Sequence, residues 1–223
     1  MLVFLLIIFV LFIFTFERKA NRDFKPSLEK DGFVTLDTPT KKQVLQKLPP
    51  GYQFLDYVYI IEGCTLSTFH RDVTSSQYVF KTKHPVYTFI SYEHDGSTLA
   101  VCPGSHATTP LLASRPIVLD AKAVLFNCDL VHSGALNPDM KPRRAIQYKI
   151  AHREDVEKLK HLRGIRKVKR GACEPRTFVD TFYRKMSLTF SYVINHHLTP
   201  YLQNRKNNIV CKILGEDRCF YNA

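Results

Sequence analysis

The sequence predicts an all-β core, a sandwich or barrel with flanking helices, and three observations carry that expectation. Between Gly51 and Ala151 the chain is a series of short β-branched and aromatic runs: FLDYVYII, QYVF, VYTFISY, TLAV, PIVLDAKAVLF and RRAIQYKIA. The turn sequences HDGS, CPGSH and LNPDMKP break the series, and no helix-length apolar period lies between the runs. Short strands at such spacing favour stacked or closed antiparallel sheets over a parallel sheet with crossover helices. The composition, 45% apolar and 23% charged in 223 residues, supplies core for one sizeable domain and excludes a wholly disordered chain.

Residues 2–16 (LVFLLIIFVLFIFTF) carry no charge, and the basic residues Arg18, Lys19, Arg22 and Lys25 all follow them. Fifteen helical residues reach about 22 Å, short of a hydrocarbon layer of roughly 30 Å, yet able to anchor where the bilayer thins. The segment reads as a membrane anchor whose basic flank keeps the body of the protein cytosolic. Next, DGFVTL (31–36) reads as an opening strand. TPTKKQVLQKL (38–48) reads as a short helix capped by Thr38 or Thr40, and Pro49-Pro50-Gly51 separates it from the strands. A second helix is expected from Arg153 to Leu162 and a third from Pro175 to about His197. The expected division is an anchor over 1–16, a β domain over 24–170 and a C-terminal extension over 171–223, packed on or beside the core.

The formal net charge is +12, from 32 Lys and Arg against 20 Asp and Glu. Residues 141–170 hold twelve basic and three acidic side chains, so three-quarters of the excess sits there. A basic stretch over 158–170 beside an apolar anchor suits anionic headgroups, so membrane association through 2–16 and 158–170 is the expected partnership. Nucleic acid comes second, because the chain has no zinc finger, Gly-rich RNA strand pair or aromatic–basic alternation. Six cysteines without a Cys-x-x-Cys pair exclude a disulfide mini-domain and a zinc site; Cys211 and Cys219 could close a short loop.

Chemistry concentrates in two places. His70 and Asp72 stand in FHRD at the end of an apolar run, and on a strand residues i and i+2 share a face, so imidazole and carboxylate converge while Arg71 points away. His132 follows VLFNCDL, 60 positions after Asp72. Two histidines and one carboxylate with open positions form the facial set that suits non-haem Fe(II) in oxygen-using enzymes. A His-x-Asp alone more often marks a solvated surface pair, so the weight falls on the combination. Arg143, 11 residues beyond His132, is placed to grip a dicarboxylate through a bidentate pair. Arg143, Ala145 and Gln147 share one strand face, and Arg144, Ile146, Tyr148 and Ile150 the other, so the smaller polar face suits a cofactor cavity.

From about Phe24 to Ala151 the chain resembles the phytanoyl-CoA dioxygenase family of Fe(II)- and 2-oxoglutarate-dependent oxygenases. The resemblance rests on FKPSLEKDGFVTL, on FHRD, on HDGSTLAVCPGSH and on VLDAKAVLFNCDLVHSGALNPDMKPRRAIQYKI, in that order and spacing. It implies a double-stranded β-helix (jelly roll, cupin-like). It implies His70, Asp72 and His132 as iron ligands and Arg143 as the partner of the distal carboxylate of 2-oxoglutarate, with Arg144 as the register alternative. Tyr78 or Tyr87 would reach the near end of the co-substrate. Ser133 and Asn137 would shape the turn beside the last ligand. Pro103, Gly104 and Ser105 would hold His106 near the mouth, in an outer or structural position and not as a fourth ligand. The implied cofactors are Fe(II), 2-oxoglutarate and O2. The implied reaction is hydroxylation of an unactivated C–H bond of a small, hydrophobic substrate, releasing succinate and CO2. Short wall-forming regions around this core speak against acyl-CoA. The alternative is a catalytically inactive jelly-roll module that binds anionic lipid or nucleic acid through its basic face.

Overall fold

A computed structural model describes residues 17–193 apart from 22, 65–66, 109–114, 138, 176 and 192. The strands are β1 Arg18–Lys19, β2 Phe33–Leu36, β3 Tyr52–Phe54, β4 Tyr57–Gly63, β5 Tyr87–Tyr92, β6 Leu99–Val101, β7 Ile117–Leu119, β8 Ala123–Asn127, β9 His132–Gly134, β10 Arg143–His152 and β11 Ile165–Gly171. The helices are α1 Lys41–Leu45, α2 Gln77–Phe80 and α3 Phe178–Thr189, with 3-10 turns at Val73–Ser75 and Arg153–Leu162.

These strands form two sheets. The smaller has the order β1-β7-β6-β9, and the larger β11-β4-β10-β5-β8-β2, with β3 also on β10. Pairing is antiparallel except for β1 with β7 and β11 with β4. Neither sheet returns to its first strand, so the expected double-stranded β-helix is corrected: the fold is a pair of open, mostly antiparallel sheets with flanking helices. Strand length gives a physical reason. β3, β6, β7 and β9 have three residues each, which spans only about 10 Å and offers too few ladder bonds to close a barrel.

Core residues sort by strand parity. β8 is buried along its whole length; Val124 and Phe126 join Phe33, Ile90, Leu99, Val101 and Leu119 between the sheets, while Ala123 and Leu125 face outward with Phe89 and Ile150. α1 covers that outer face through Val44. It begins with a capping box: the Thr40 hydroxyl accepts from Gln43 N–H at 3.3 Å, and Gln43 Oε1 accepts from Thr40 N–H at 2.8 Å. Behind the smaller sheet, Phe69, Ala100, Cys102 and Val131 pack against Leu188 of α3. α3 is fastened by Arg184, which is 2% exposed, bonds both oxygens of Glu17 at 2.6 and 2.9 Å and lies over the Phe69 ring. Ser187 Oγ accepts from Phe69 N–H at 2.8 Å. The stretch 153–162 is a 3-10 helix broken at Leu159 instead of a regular α-helix.

A disulfide joins Cys64 to Cys173, two cysteines that sequence spacing did not pair. It closes the end of β4 onto the end of β11, where Cys64 N–H donates to Gly171 O at 3.1 Å. Gly63 has φ +85 there, and a Cβ would collide with the Gly171 carbonyl oxygen. Cys211, Cys219, His196 and His197 lie outside the described residues, as does the apolar stretch 2–16.

Among the described residues no helix is long and apolar enough to cross a membrane. The described residues therefore give no support to the expected transmembrane helix, membrane partner or membrane-associated localisation, and the stretch 2–16 expected to form the anchor lies outside them. The basic stretch 158–170 is also partly neutralised within the fold. Arg166 pairs with Asp56, Arg170 Nε lies 3.2 Å from Glu62, and Lys158 Nζ lies 3.5 Å from Asp155.

Candidate metal and co-substrate site

His70 and His132, 62 positions apart, meet across an isolated antiparallel bridge. Each N–H donates to the other's carbonyl at 2.9 Å, and Asp72 N–H donates to Cys128 O at 2.8 Å. Backbone hydrogen bonds therefore bring FHRD beside the strand that follows VLFNCDL. The imidazole centroids lie 4.5 Å apart. His70 Nδ1 is 2.7 Å from Thr68 O and His132 Nδ1 is 2.9 Å from Leu130 O. A carbonyl only accepts, so each ring holds its proton on Nδ1 and turns an Nε2 lone pair to the cavity. Both Nε2 atoms are 3.8 Å from Asp72 Oδ1.

The far oxygen of Asp72 is fully engaged. Oδ2 accepts from Lys149 Nζ at 2.6 Å, Thr88 Oγ1 at 2.6 Å and Gln147 Nε2 at 3.2 Å, while Lys149 also donates to Thr88 Oγ1 at 2.8 Å. Burial alone would raise the Asp72 pKa; the Lys149 ammonium and the two imidazoles outweigh it and hold the carboxyl well below its usual range. Burial, reinforced by His70, pushes His132 down to about 4 against the pull of Asp72. The result is two imidazole nitrogens and one carboxylate oxygen, all within 4.8 Å of one another. The donor set, N2O with each ligand braced by an outer hydrogen bond, fits a divalent first-row metal with open positions. A second trio, His84, His152 and Glu154, is comparably close, but Lys83 Nζ at 2.8 Å already supplies a cation to its carboxylate.

The triad opens into a cavity of about 280 Å³ between the sheets, walled by Tyr59, Ile61, Ile90 and Leu99. Arg143 and Asn137 line it and Arg144 does not. Arg143 donates to Ala135 O at 3.0 Å and Leu136 O at 3.3 Å; Arg144 turns outward to Glu62 and Glu93. Near Arg143 the hydroxyl of Tyr92 and Nε2 of His94 are buried and lack a hydrogen-bond partner among the described residues. Burial raises the Tyr92 pKa, and burial with Arg143 lowers that of His94, so both stay neutral near pH 7. A buried Tyr92 O–H left open beside a guanidinium fits a small anion such as a carboxylate, to which it can donate.

Several residues expected at the site lie elsewhere. Tyr78 is 55% exposed and donates to His106 O, and Tyr87 packs edge-on against Tyr52; neither lines the cavity. Ser133 is buried behind His132, donating to Ser67 O and accepting from Arg184. His106 sits against Gly32 with Nε2 3.1 Å from Glu29 O, away from the mouth. Ser105 is the brace in that segment: its Oγ accepts from Val131 N–H at 2.8 Å and its carbonyl accepts from Arg71 at 2.7 Å, so it fixes the chain next to both histidines. Asn137 Nδ2 donates to Lys141 O at 2.7 Å, closing the turn before β10.

Sequence reasoning missed Lys149, Thr88, Tyr92 and His94. Lys149 had a signal: it stands on the Arg143–Ala145–Gln147 face of an otherwise apolar strand.

No family model matches the chain, and no curated protein matches it. Among solved structures it is similar to the non-heme monooxygenase ThoJ in its nickel complex, with 15% identity, 50% of this chain and 49% of that one covered, and a TM-score of 0.37. It is similar to EvdO2 from Micromonospora carbonacea var. aurantiaca complexed with 2-oxoglutarate (10% identity, 60% and 91% covered, TM-score 0.39). It is also similar to the epimerase SnoN in complex with Fe3+, alpha ketoglutarate and nogalamycin RO (12% identity, 56% and 80% covered, TM-score 0.40). The chain spans about half the length of ThoJ and 38% of EvdMO1. These likenesses are distant, with identities of 10–15% and TM-scores of 0.37–0.40, and the expected phytanoyl-CoA dioxygenase family is matched by no family model.

Proposed function

We propose that the chain is an Fe(II)- and 2-oxoglutarate-dependent oxygenase that hydroxylates an unactivated C–H bond of a small substrate with a hydrophobic body. One observation carries the reading: two Nε2 atoms and one carboxylate oxygen converge in a cavity that also holds a guanidinium and two unsatisfied polar groups. The motif order that resembles phytanoyl-CoA dioxygenases supports placing the chain near that branch of the superfamily.

His70, Asp72 and His132 would hold the iron. Bound iron with 2-oxoglutarate supplies dioxygen activation coupled to decarboxylation, which releases succinate and CO2. The chain's own residues do the rest. Lys149, Thr88 and Gln147 keep Asp72 ionised and aim Oδ1 at the histidines. Thr68 O and Leu130 O fix both imidazole tautomers. Arg143 pairs with the distal carboxylate, and Tyr92 Oη donates to the same molecule. Ile61, Ile90 and Leu99 keep water from the reacting carbon.

The test is anaerobic reconstitution with Fe(II) and 2-oxoglutarate, read by the visible absorption of the chelate, followed by succinate assay in air. Wild type should give both signals and Asp72→Ala neither. Arg143→Ala should raise the 2-oxoglutarate requirement by at least about tenfold, the effect of losing a charge-assisted bidentate pair, while Arg144→Ala stays within about twofold. A wild-type protein with no band and no succinate overturns the reading.

A further inference from the structure

The inward face of the larger sheet is a continuous row. Lys169 of β11 is in register with Ile61 of β4, Ile61 with Ala145 of β10, and Ala145 with Tyr92 of β5. Residues in register on adjacent strands share a face, and all four line the cavity. Arg143 stands two residues along β10 from Ala145, so the two cations share this sheet face and are separated by strand β4. β11 lies two strand spacings from β10, about 10 Å, with Tyr59 and Ile61 forming an apolar shelf between.

Charge in the cavity is one-sided. Its single acidic lining residue among those described is Asp72, which Lys149, Thr88 and Gln147 already engage. Of its cations, Arg71 is buried behind the triad and gives one terminal nitrogen to Ser105 O and Thr108 O, and Arg143 lies at the co-substrate end. On β11 the outward arginines have partners, Arg166 with Asp56 and Arg170 with Glu62, whereas Lys169 has no hydrogen bond or ion pair among the described residues. Lys169 is exposed at the rim of the cavity, and partial desolvation there lowers its pKa. Its backbone is not free to drift away: Gly63, the Cys64–Gly171 hydrogen bond and the Cys64–Cys173 disulfide clamp the end of β11 onto β4 two residues beyond it.

We infer that the substrate carries an anionic group, a carboxylate or a phosphate, which Lys169 binds two strands away from Arg143. The inference rests on the oxygenase reading for the assignment of Arg143 to the co-substrate. The substrate then has three parts that match three walls. Its anion sits at Lys169, a short apolar stretch lies on Tyr59 and Ile61, and the reacting carbon reaches the triad. The cavity, near the lower limit of ligand pockets, restricts that stretch to a few carbons once co-substrate is in place.

Hexanoate, hexyl phosphate and hexanol, titrated calorimetrically into full-length protein loaded anaerobically with Fe(II) and 2-oxoglutarate, test this. At least one of the two anions should bind about tenfold or more tightly than the alcohol, and the tighter of the two identifies the group. Lys169→Met should erase the preference while 2-oxoglutarate affinity stays within about twofold, and Lys169→Glu should favour hexylamine. Equal binding of all three probes by wild type, or a preference that survives Lys169→Met, overturns the inference. If the protein takes up no Fe(II) and 2-oxoglutarate, the oxygenase reading fails separately. The same titration on metal-free Arg143→Met protein, where the other anion site is gone, then decides the role of Lys169.

Discussion

A buried ammonium 2.6 Å from a metal-facing carboxylate acts in two opposing ways. Lys149 removes negative charge that would attract a cation, yet it keeps Asp72 ionised and aimed, and it is 1% exposed with no water to replace it. In Lys149→Met, Asp72 would be left buried without its counter-ion, a loss of about 3–5 kcal/mol in metal-free protein. A divalent metal then becomes the remaining counter-charge. The expected outcome is a lower thermal midpoint than wild type without metal and a larger upward shift when Fe(II) is added anaerobically. An equal shift in both proteins would mean that Lys149 does not share Asp72 with the metal. His106 offers a separate residue-scale test. Burial lowers its pKa, with the Glu29 carbonyl opposing, so the folded value lies below the ordinary value near 6.5. The unfolded chain therefore takes up the proton first as pH falls. The stability held by neutral His106 is complete above about pH 6.5 and is lost as pH drops toward the folded value. Between about pH 8 and pH 5 the wild-type midpoint should fall further than that of His106→Asn.

Strand β10 concentrates the work of the site in alternate residues. Inward come Arg143, Ala145, Gln147 and Lys149, and outward come Arg144, Ile146, Tyr148 and Ile150. Alternation was legible in the sequence because side-chain direction has period two, and it placed Arg143 and Arg144 on different faces. The meeting of His70 with His132 was legible only as a spacing, since the bridge that joins them depends on which strands pair. Tyr78 went astray because QYVF, taken for a strand, forms the helical turn α2, which turns it to the surface, whereas Tyr87 is on a strand as expected but on the outer face of β5 with Phe89. α3 shows what local pattern misses. Its mixed face gave no clean period, and its docking depends on a buried Arg184–Glu17 pair 167 residues apart in sequence. Arg184→Met should cost on the order of 3 kcal/mol, because Glu17 loses its partner in a largely buried setting. It should also speed amide exchange at Phe69, whose N–H is held by Ser187. Unchanged exchange there would detach α3 from the support of His70.

At the scale of the molecule, the total of +12 says little about partners, because local pairing spends part of it. Arg144, Arg166, Arg170 and Arg184 are each tied to a carboxylate, while Arg143 and Lys169 face the cavity. The expected jelly roll came from the family resemblance, and the strand spacing favoured only a sandwich or barrel; three-residue strands satisfy that spacing without supplying the length to close a sheet. The disulfide was hidden because 109 residues separate its cysteines and only the β4–β11 pairing brings them together.

That bond makes the chain from 64 to 173 a covalent ring, and His70, Asp72, His132, Arg143, Lys149 and Lys169 all belong to it. In the chain-entropy account, closing so long a ring is worth about 5 kcal/mol at most. One peptide bond cut anywhere within the ring opens a loop without separating any ligand from the others. Singly nicked protein should therefore migrate as one species until reductant is added, and should keep its Fe(II) chelate absorption up to that moment. If the fragments separate without reductant, the ring was not closed. The site is thus insured against a break in its own backbone by two cysteines, one on its rim and the other beyond the end of β11.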